Sequence, residues 1–391
     1  MAAYQNILVI NLMHLGDLML VTPVLRTLRT NYPKARITLL ADSKLADIVE
    51  FNRHIDECIF IDKKGKDNHM GAFFKRILAV REKGFDLVIN LHRNERASAL
   101  AAFSGAKRIV GYSKPIFSLF FDMVMPNPSI ARHVVEGPLS IIFPGRRKYV
   151  PGWKHQVHAH LEVLEKAVGI SKVDDGGLEM WLSEDMEREA EDLWRECYSP
   201  DDKVVAFNIG ASWETKRWLD GSFAECADIL LEEGYGVAFL GGPMDLEMVE
   251  ACIAKMKHKS NPKMAVFTGR VGLGVLGGIL KRCVLFLTTD SGPMHVGVAM
   301  NIPVVTMFGA SPVPGFYPYD AKDVLIRSPE PCQPCGIHHC PRQGNDNLAC
   351  MKRISVETVM KYVRELLRDY GEPALKIPRN YGQYECRVVE L

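Results

Sequence analysis

Short apolar runs alternate with amphipathic stretches along the whole chain, and this rhythm limits the fold more than any other feature. Residues 7–11, 36–41, 58–61, 87–91 and 108–111 read as strands, with helices at 18–30, 43–51, 72–83 and 96–103 between them. After a polar, glycine-containing stretch at 171–177 the rhythm returns. A long acidic helix at 183–197 leads into strands at 204–209, 237–240, 265–267, 284–287, 304–308 and 324–326, with helices at 223–233, 245–257, 271–282 and 293–300. Apolar runs this short, spaced by helices, predict strands covered on both faces and joined by crossover helices, hence two parallel sheets in an α/β protein. A chain of 391 residues also exceeds one ordinary core. The expected division is 1–175, 176–355 and a final 356–391. The last contains a strongly amphipathic helix at 356–370 with no partner strand, which is expected to pack back on the N-terminal domain.

Bulk properties exclude several classes. The formal net charge is +1, so the molecule as a whole does not bind polyanions through its overall field. The first basic residue is Arg26, so the basic start of a secretory leader is not expected. No run of eighteen apolar residues occurs that would span a bilayer. The stretch 284–321 lacks Lys and Arg, but Asp290, His295, Gly and Pro interrupt it, as in a buried core. Six of the ten cysteines (Cys58, Cys197, Cys226, Cys252, Cys283, Cys386) are scattered, which favours reduced thiols and a cytoplasmic location.

The chemistry concentrates at strand ends. Thr288-Thr289-Asp290-Ser291-Gly292-Pro293-Met294-His295 reads as strand, polar turn and helix. A helix starting at Ser291 or Gly292 aims unpaired N–H groups and its positive dipole end at one point, which suits a phosphate. Asp290 can bind a sugar hydroxyl, and His295 lies one turn on. The chain opens with the same layout, where His14-Leu15-Gly16-Asp17 turns a strand into a helix. Each has a plainer reading: Asp17 as a helix cap, Gly292-Pro293 as a simple tight turn. Three further strand ends are small and polar, at Gly210–Trp218 with Ser212, Thr215 and Lys216, at Gly241–Asp245, and at Thr268–Arg270. Ligands bind at such ends in parallel sheets. The one GxGxxG, Gly272 to Gly277, does not follow its strand directly and has apolar spacers. It reads as the small-residue face of a buried helix, not a dinucleotide fingerprint.

The ordered set Leu15-Gly16-Asp17 with Thr22-Pro23-Val24-Leu25, then Gly210-Ala211-Ser212 with Thr215-Lys216-Arg217-Trp218, then Asp290 to His295, resembles glycosyltransferase family 9, the heptosyltransferases of lipopolysaccharide core assembly. The resemblance spans about residues 5 to 365. It implies the GT-B architecture, two Rossmann-like domains facing a central cleft, with acceptor bound by the first and ADP-sugar donor by the second. It implies inverting transfer of L-glycero-D-manno-heptose from ADP-heptose, with no catalytic metal. Asp17 matches the family's general base, and Lys216 the lysine at the donor diphosphate. Asp290 matches the acid on the donor heptose, and Ser291, Gly292 and His295 the adjoining phosphate loop. Gly210, Ser212, Thr215 and Gly242 fall in the donor loops, and Asp245 loosely matches an acid facing the ribose. The acceptor is then an anionic lipopolysaccharide inner core or, as in some relatives, a protein serine. A binding protein that kept the shell without catalysis is the other reading, and the joint presence of Asp17 and Lys216 argues against it.

Basic residues for an anionic acceptor are available. His92, Arg93 and Arg96 follow a strand end, and 131–160 carries Arg132, Arg146, Arg147, Lys148, Lys154 and four histidines including His155 against only Glu136. The plainer reading is a solvated face. Pro115 to Met125 is unusually apolar and reads as a buried helix or a lipid contact, so a peripheral position at the inner membrane is compatible. Finally, Cys332, Cys335, Cys340 and Cys350 place four thiols within nineteen residues, after the last strand and away from the donor loop. They could hold a structural zinc or iron, with His338 and His339 as alternative ligands, or stand as reduced thiols. The neutral charge around them argues against a nucleic-acid module.

Overall fold

A computed structural model describes residues 4–127, 132–135, 147–150, 154–174, 176–379 and 382–391. They form two compact units: Met1–Pro128 with Gln156–Trp181, and Ser129–His155 with Leu182–Leu391. The first boundary therefore falls a few residues past the expected 175, and the described residues 132–135, 147–150 and 154–155 belong to the second unit. Ala131, Glu136 and Arg146 of the basic stretch, and Asp175 of the expected linker, lie outside the described residues.

In the first unit, β1 (Asn6–Ile10), β2 (Arg36–Asp42), β3 (Glu57–Ile61), β4 (Leu87–Asn90), β5 (Arg108–Gly111) and β6 (Met123–Val124) form one parallel sheet in the order β3-β2-β1-β4-β5-β6. The order reverses at β1, so the ends of β1 and β4 diverge and leave room for a ligand between their loops. The strands are joined by α1 (Leu15–Met19), α2 (Thr22–Asn31), α3 (Ala46–Val49), α4 (Met70–Glu82) and α5 (Glu95–Ala102), and α6 (Gln156–Val163) packs against α2. The single helix expected over 18–30 is two. Pro23 has no N–H and its ring would strike the carbonyl of Met19, so the helix restarts, with Thr22 Oγ1 donating to the Met19 carbonyl at 2.9 Å.

In the second unit, β7 (Arg132–Val135) and β8 (Arg147–Val150) pair antiparallel as a separate two-stranded sheet. The main sheet contains β9 (Val204–Asn208), β10 (Gly236–Phe239), β11 (Met264–Val266), β12 (Leu285–Thr289), β13 (Val304–Met307), β14 (Val324–Arg327) and β15 (Arg387–Glu390). It is parallel throughout, in the order β11-β10-β9-β12-β13-β14-β15. Around it lie α7 (Glu184–Cys197), α8 (Asp220–Glu232), α9 (Leu246–Lys255), α10 (Leu273–Leu280), α11 (Gly292–Ala299), α12 (Ala349–Lys352) and α13 (Val356–Tyr370). The GxGxxG lies in α10, which is buried against α7. A Cβ on Gly274 would strike the Met186 side chain, so glycine there serves close helix packing.

The C-terminal segment corrects the expectation. Val359, Met360, Val363, Leu366 and Leu367 of α13 are buried in the second unit's own core with Phe223, Leu230 and Leu285, and β15 then joins the edge strand β14. Five buried apolar side chains, at about 1.5–3 kcal/mol each, hold the helix where its stripe matches α8 and the sheet. Residues 356–391 therefore complete the second unit's fold.

Candidate functional site

The strand ends of the second unit converge. Asn208 closes β9 and is buried. Its Oδ1 accepts from Ser291 Oγ at 2.9 Å and from Thr288 Oγ1 at 3.5 Å, while its Nδ2 donates to the Leu240 carbonyl at 3.2 Å. One side chain thus fastens the ends of β9, β10 and β12. Because Ser291 Oγ is spent on Asn208, no side chain caps α11, although Ser291 is its N-cap residue. The positive end of an eight-residue helix is left for an anion. Beside it, Lys216 Nζ stands 3.2 Å from Asp290 Oδ2, as an ion pair without hydrogen-bond geometry. Asp290 is buried, and His295 Nδ1 is buried with no hydrogen-bond partner. Burial, opposed by Asp290, lowers the His295 pKa to about 4, so the ring is neutral near pH 7. A buried, unpartnered ring nitrogen beside a lysine and an uncapped helix start is an arrangement that a polar ligand carrying negative charge would complete.

Asp245 is half-buried against Gly210. A Cβ on Gly210 would collide with its carboxylate, and the Gly242 N–H donates to Asp245 Oδ2 at 2.8 Å. Burial raises the Asp245 pKa, against the pull of that hydrogen bond and of Arg217. Ser212 is exposed on the same loop. Thr215 has a different job from the one expected. It is buried, its hydroxyl donates to the Ile337 carbonyl, and its N–H approaches the His338 carbonyl at 3.5 Å. The Trp213 ring is stacked on His338 at 4.4 Å and lies 4.8 Å from Lys216 Nζ on its path to Asp290. Glu214 Oε2 accepts from the Cys340 N–H at 3.3 Å.

The cysteine loop is thus tied to the loop that follows β9. Its thiols influence one another: burial raises the Cys335 pKa with help from Cys332 and Cys340, and burial plus the other three pushes Cys350 up to about 11. Among the described residues, however, no group of three or more His, Cys, Asp or Glu side chains has the arrangement of a metal site.

In the first unit, Asp17 is half-buried in the first turn of α1, directly after β1, with His14 at the N-cap position. Asp17 is therefore not the cap of that helix. Lys63 Nζ donates to the Leu12 carbonyl at 2.6 Å and pairs with Asp42 Oδ2 at 2.8 Å, joining the ends of three strands. His92 follows β4 with Nδ1 buried and unpartnered. Burial, aided by Lys63 and His14, lowers its pKa to about 3, so it offers a hydrogen bond and not the positive charge expected for an anionic acceptor. Arg93 is exposed, its Nε donating to the Ser113 carbonyl at 3.2 Å. Arg96 is committed to its own unit, bonding the Lys63 carbonyl at 2.9 Å and Asn68 Oδ1 at 2.6 Å.

Two further expected acceptor residues fall in the second unit. Arg132 lies in β7 of the second unit. His155 also belongs to that unit and is buried, its Nε2 against the Tyr317 carbonyl at 3.0 Å and its ring stacked on Tyr319 at 4.5 Å, so it is a packed core histidine. Sequence reasoning missed Asn208, Lys63 and the stacking of Trp213 on His338. Only Asn208 left a trace, as an amide ending an apolar strand.

Two Rossmann-like parallel sheets, the second with an anion-ready helix start and an Asp–Lys pair, define a glycosyltransferase of the GT-B class. The model of glycosyltransferase family 9 (heptosyltransferase) matches residues 73–345, and the chain belongs to that family. A lipopolysaccharide heptosyltransferase 3 of Escherichia coli is 26% identical over 314 residues, 76% of this chain and 80% of the relative. A family 9 glycosyltransferase structure from Veillonella parvula is 32% identical, covering 94% of this chain and 99% of that one, with a TM-score of 0.79. The structure of E. coli ADP-heptose LPS heptosyltransferase II, 21% identical, shares the fold with a TM-score of 0.72 over 93% of this chain and 99% of its own. Among the described residues no helix is long and apolar enough to cross a membrane.

Proposed function

We propose that this heptosyltransferase transfers L-glycero-D-manno-heptose from its ADP conjugate to the anionic inner core of lipopolysaccharide, with inversion at the anomeric carbon. The observation that carries the donor half is the Lys216–Asp290 pair beside the uncapped start of α11. A diphosphate at that start would take the first-turn N–H groups and Lys216. Asp290, released from the lysine, would accept from a heptose hydroxyl, and His295 Nδ1 would find its partner.

In the reaction the acceptor oxygen attacks C1 of heptose, and the C1–O bond to the β-phosphate breaks with its electron pair going to ADP. Asp17 takes the acceptor's proton. Lys216 and the helix N–H groups stabilise the charge that grows on the leaving diphosphate, so no catalytic metal is required. Arg93, exposed after β4, and the neutral His92 are the acceptor-side groups of this reading. The names of the E. coli relatives support the lipopolysaccharide acceptor, and no feature of this chain favours a protein serine. A lipid-linked acceptor made inside the cell puts the enzyme at the cytoplasmic face of the inner membrane.

A structural role for zinc or iron belongs to the same proposal. Four thiols within nineteen residues of one loop are the donor set such an ion would draw together. Elemental analysis of purified protein should give about one ion per chain; protein purified without any metal, all four of whose thiols alkylate in the folded state, would overturn it. The function itself is tested by a donor screen with ADP-heptose, ADP-glucose and UDP-sugars on a core acceptor, read as nucleotide release. A preference for any donor other than ADP-heptose would overturn the proposal.

A further inference from the structure

One outer face of the first unit is apolar, basic and unused by the chemistry. α4, α5 and the turn Pro115–Phe120 lie side by side over a single core, to which they contribute Ile77, Val80, Leu100 and Phe117. On their outer side, α4 exposes Met70, Phe74 and Leu78, four residues apart and so on one stripe, at 84%, 60% and 43%. The turn exposes Ile116 at 75%, Leu119 at 93% and Phe120 at 49%. Phe103 at the end of α5 bridges toward the turn, edge-on to Phe120 at 5.3 Å. Scattered apolar residues on a surface need no explanation, but six exposed ones on two elements flanking the same buried helix do.

The charge around the set identifies what covers it. Of the seven Lys or Arg in residues 63–83, Lys63, Arg76 and Lys83 are paired with Asp42, Asp67 and Glu57, which leaves four in a chain whose total net charge is only +1. Lys64, Lys66, Lys75 and Arg81 are exposed. Apolar tips rimmed by lysines match the surface of an anionic bilayer, where the tips enter the headgroup layer and the cations meet lipid phosphates.

The face also adjoins the acceptor loops. Arg93 bonds the Ser113 carbonyl, one residue before Lys114 and the apolar turn. Arg96 bonds the Lys63 carbonyl, where the basic run begins, and lies over the Phe73 ring of α4 at 5.7 Å. We propose that this face docks on the anionic phospholipid surface from which the acceptor projects, holding the acceptor loops at the height of its sugars. The proposal rests on the lipid-linked acceptor of the preceding reading.

The test is cosedimentation of the full chain with vesicles of mixed phosphatidylethanolamine and phosphatidylglycerol, against pure phosphatidylcholine. Wild type should bind the anionic vesicles, and added salt should weaken the binding. Leu119→Asp and Phe74→Asp should each reduce the vesicle-bound fraction by roughly tenfold or more, since each removes one apolar anchor and adds a repelled charge. Both positions are exposed, so both variants should melt like wild type and keep wild-type turnover on a deacylated, soluble acceptor. No binding by wild type, or equal binding by both variants, would overturn the proposal. So would a dimer that Leu119→Asp dissociates in the absence of vesicle binding. Vesicle binding without heptose transfer to any acceptor would sink the proposed reaction while supporting the docking surface.

Discussion

The two units use the same parallel-sheet layout and prepare their strand ends differently. In the second unit Asn208 fastens three strand ends, Lys216 is already paired with Asp290, and His295 is held neutral beside them. In the first unit the corresponding side chains are largely spent on their own loops: Lys63 on Leu12 and Asp42, Arg96 on Lys63 and Asn68. The groups that the proposed reaction draws from this unit are Asp17, His92 and Arg93. A nucleotide diphosphate is one fixed shape, and a prebuilt cradle suits it. Acceptors differ in their sugars and phosphates, and a sparser set of groups on loops suits a partner whose identity those loops define. The comparison predicts that damage in the second unit appears in donor affinity and damage in the first unit in turnover or acceptor affinity.

The sharpest break would come at Asp17. Asp17→Asn keeps the shape and removes the base, so turnover should fall by on the order of a hundredfold or more. Donor affinity measured by calorimetry should barely change. Near wild-type turnover would remove Asp17 from the chemistry.

Next in size is the donor cradle. Lys216→Ala leaves the buried Asp290 without its cation and the diphosphate without a counter-charge. ADP-heptose affinity should fall by about tenfold or more, and the chemical step should slow as well, because charge grows on the leaving group. Unchanged affinity in both Lys216→Ala and Asp290→Ala would move the donor elsewhere.

A smaller effect is expected behind the lysine. His338 supports Trp213, and Trp213 lies beside Lys216 Nζ. His338→Ala should raise the donor KM by roughly fivefold, the size of a lost aromatic contact, with little change in kcat. His338→Phe should restore it, because stacking needs only a ring. Equal loss in both variants would mean the histidine acts through its nitrogens.

The extent to which this comparison was legible beforehand follows from its physics. Strands such as Val204–Asn208 and Leu285–Thr289 are buried along their whole length and announce themselves as apolar runs. β15, Arg387–Glu390, is a mostly exposed edge strand and carries no such run. The stripe on α13 was plain, but a stripe does not name its partner, and the helix closes the second core where the first was expected. Asp17, Lys216, Asp290 and His295 could be picked out because strand-end loops have recognisable residues. The links Thr215–Ile337 and Trp213–His338 join loops over a hundred residues apart, and nothing local in either loop records them.

Acid bears on both units. The histidines at the two sites have folded pKa values of about 3 for His92 and about 4 for His295, against 6.5 for an unperturbed ring. Above pH 6.5 both folded and unfolded forms are neutral and the shifts cost nothing. As pH falls below 6.5 the unfolded chain takes up protons that the folded one refuses, so stability drops by up to about 1.4 kcal/mol per pH unit for each ring until the folded values are reached. Denaturant midpoints measured from pH 7 to pH 4.5 should fall accordingly. His295→Gln should flatten the slope, and an unchanged slope would mean that the ring is solvated in the folded protein.

The smallest and most discriminating effect separates two neighbouring arginines of the first unit. Arg96 makes hydrogen bonds to Lys63 and Asn68 and covers Phe73, so its removal should cost about 1.5–3 kcal/mol, visible as a lower melting temperature. Its effect on the acceptor KM should be slight. Arg93 is exposed, with a single bond to the Ser113 carbonyl. Arg93→Ala should leave melting nearly unchanged and raise the acceptor KM a few-fold, about the size of one solvent-exposed charge contact, with donor KM untouched. Reversal of the pattern, with Arg96 governing acceptor affinity and Arg93 stability, would mean that the loops after β4 rearrange when the acceptor arrives. The first unit would then build its site only on binding, and the contrast with the prebuilt donor cradle would become one of timing.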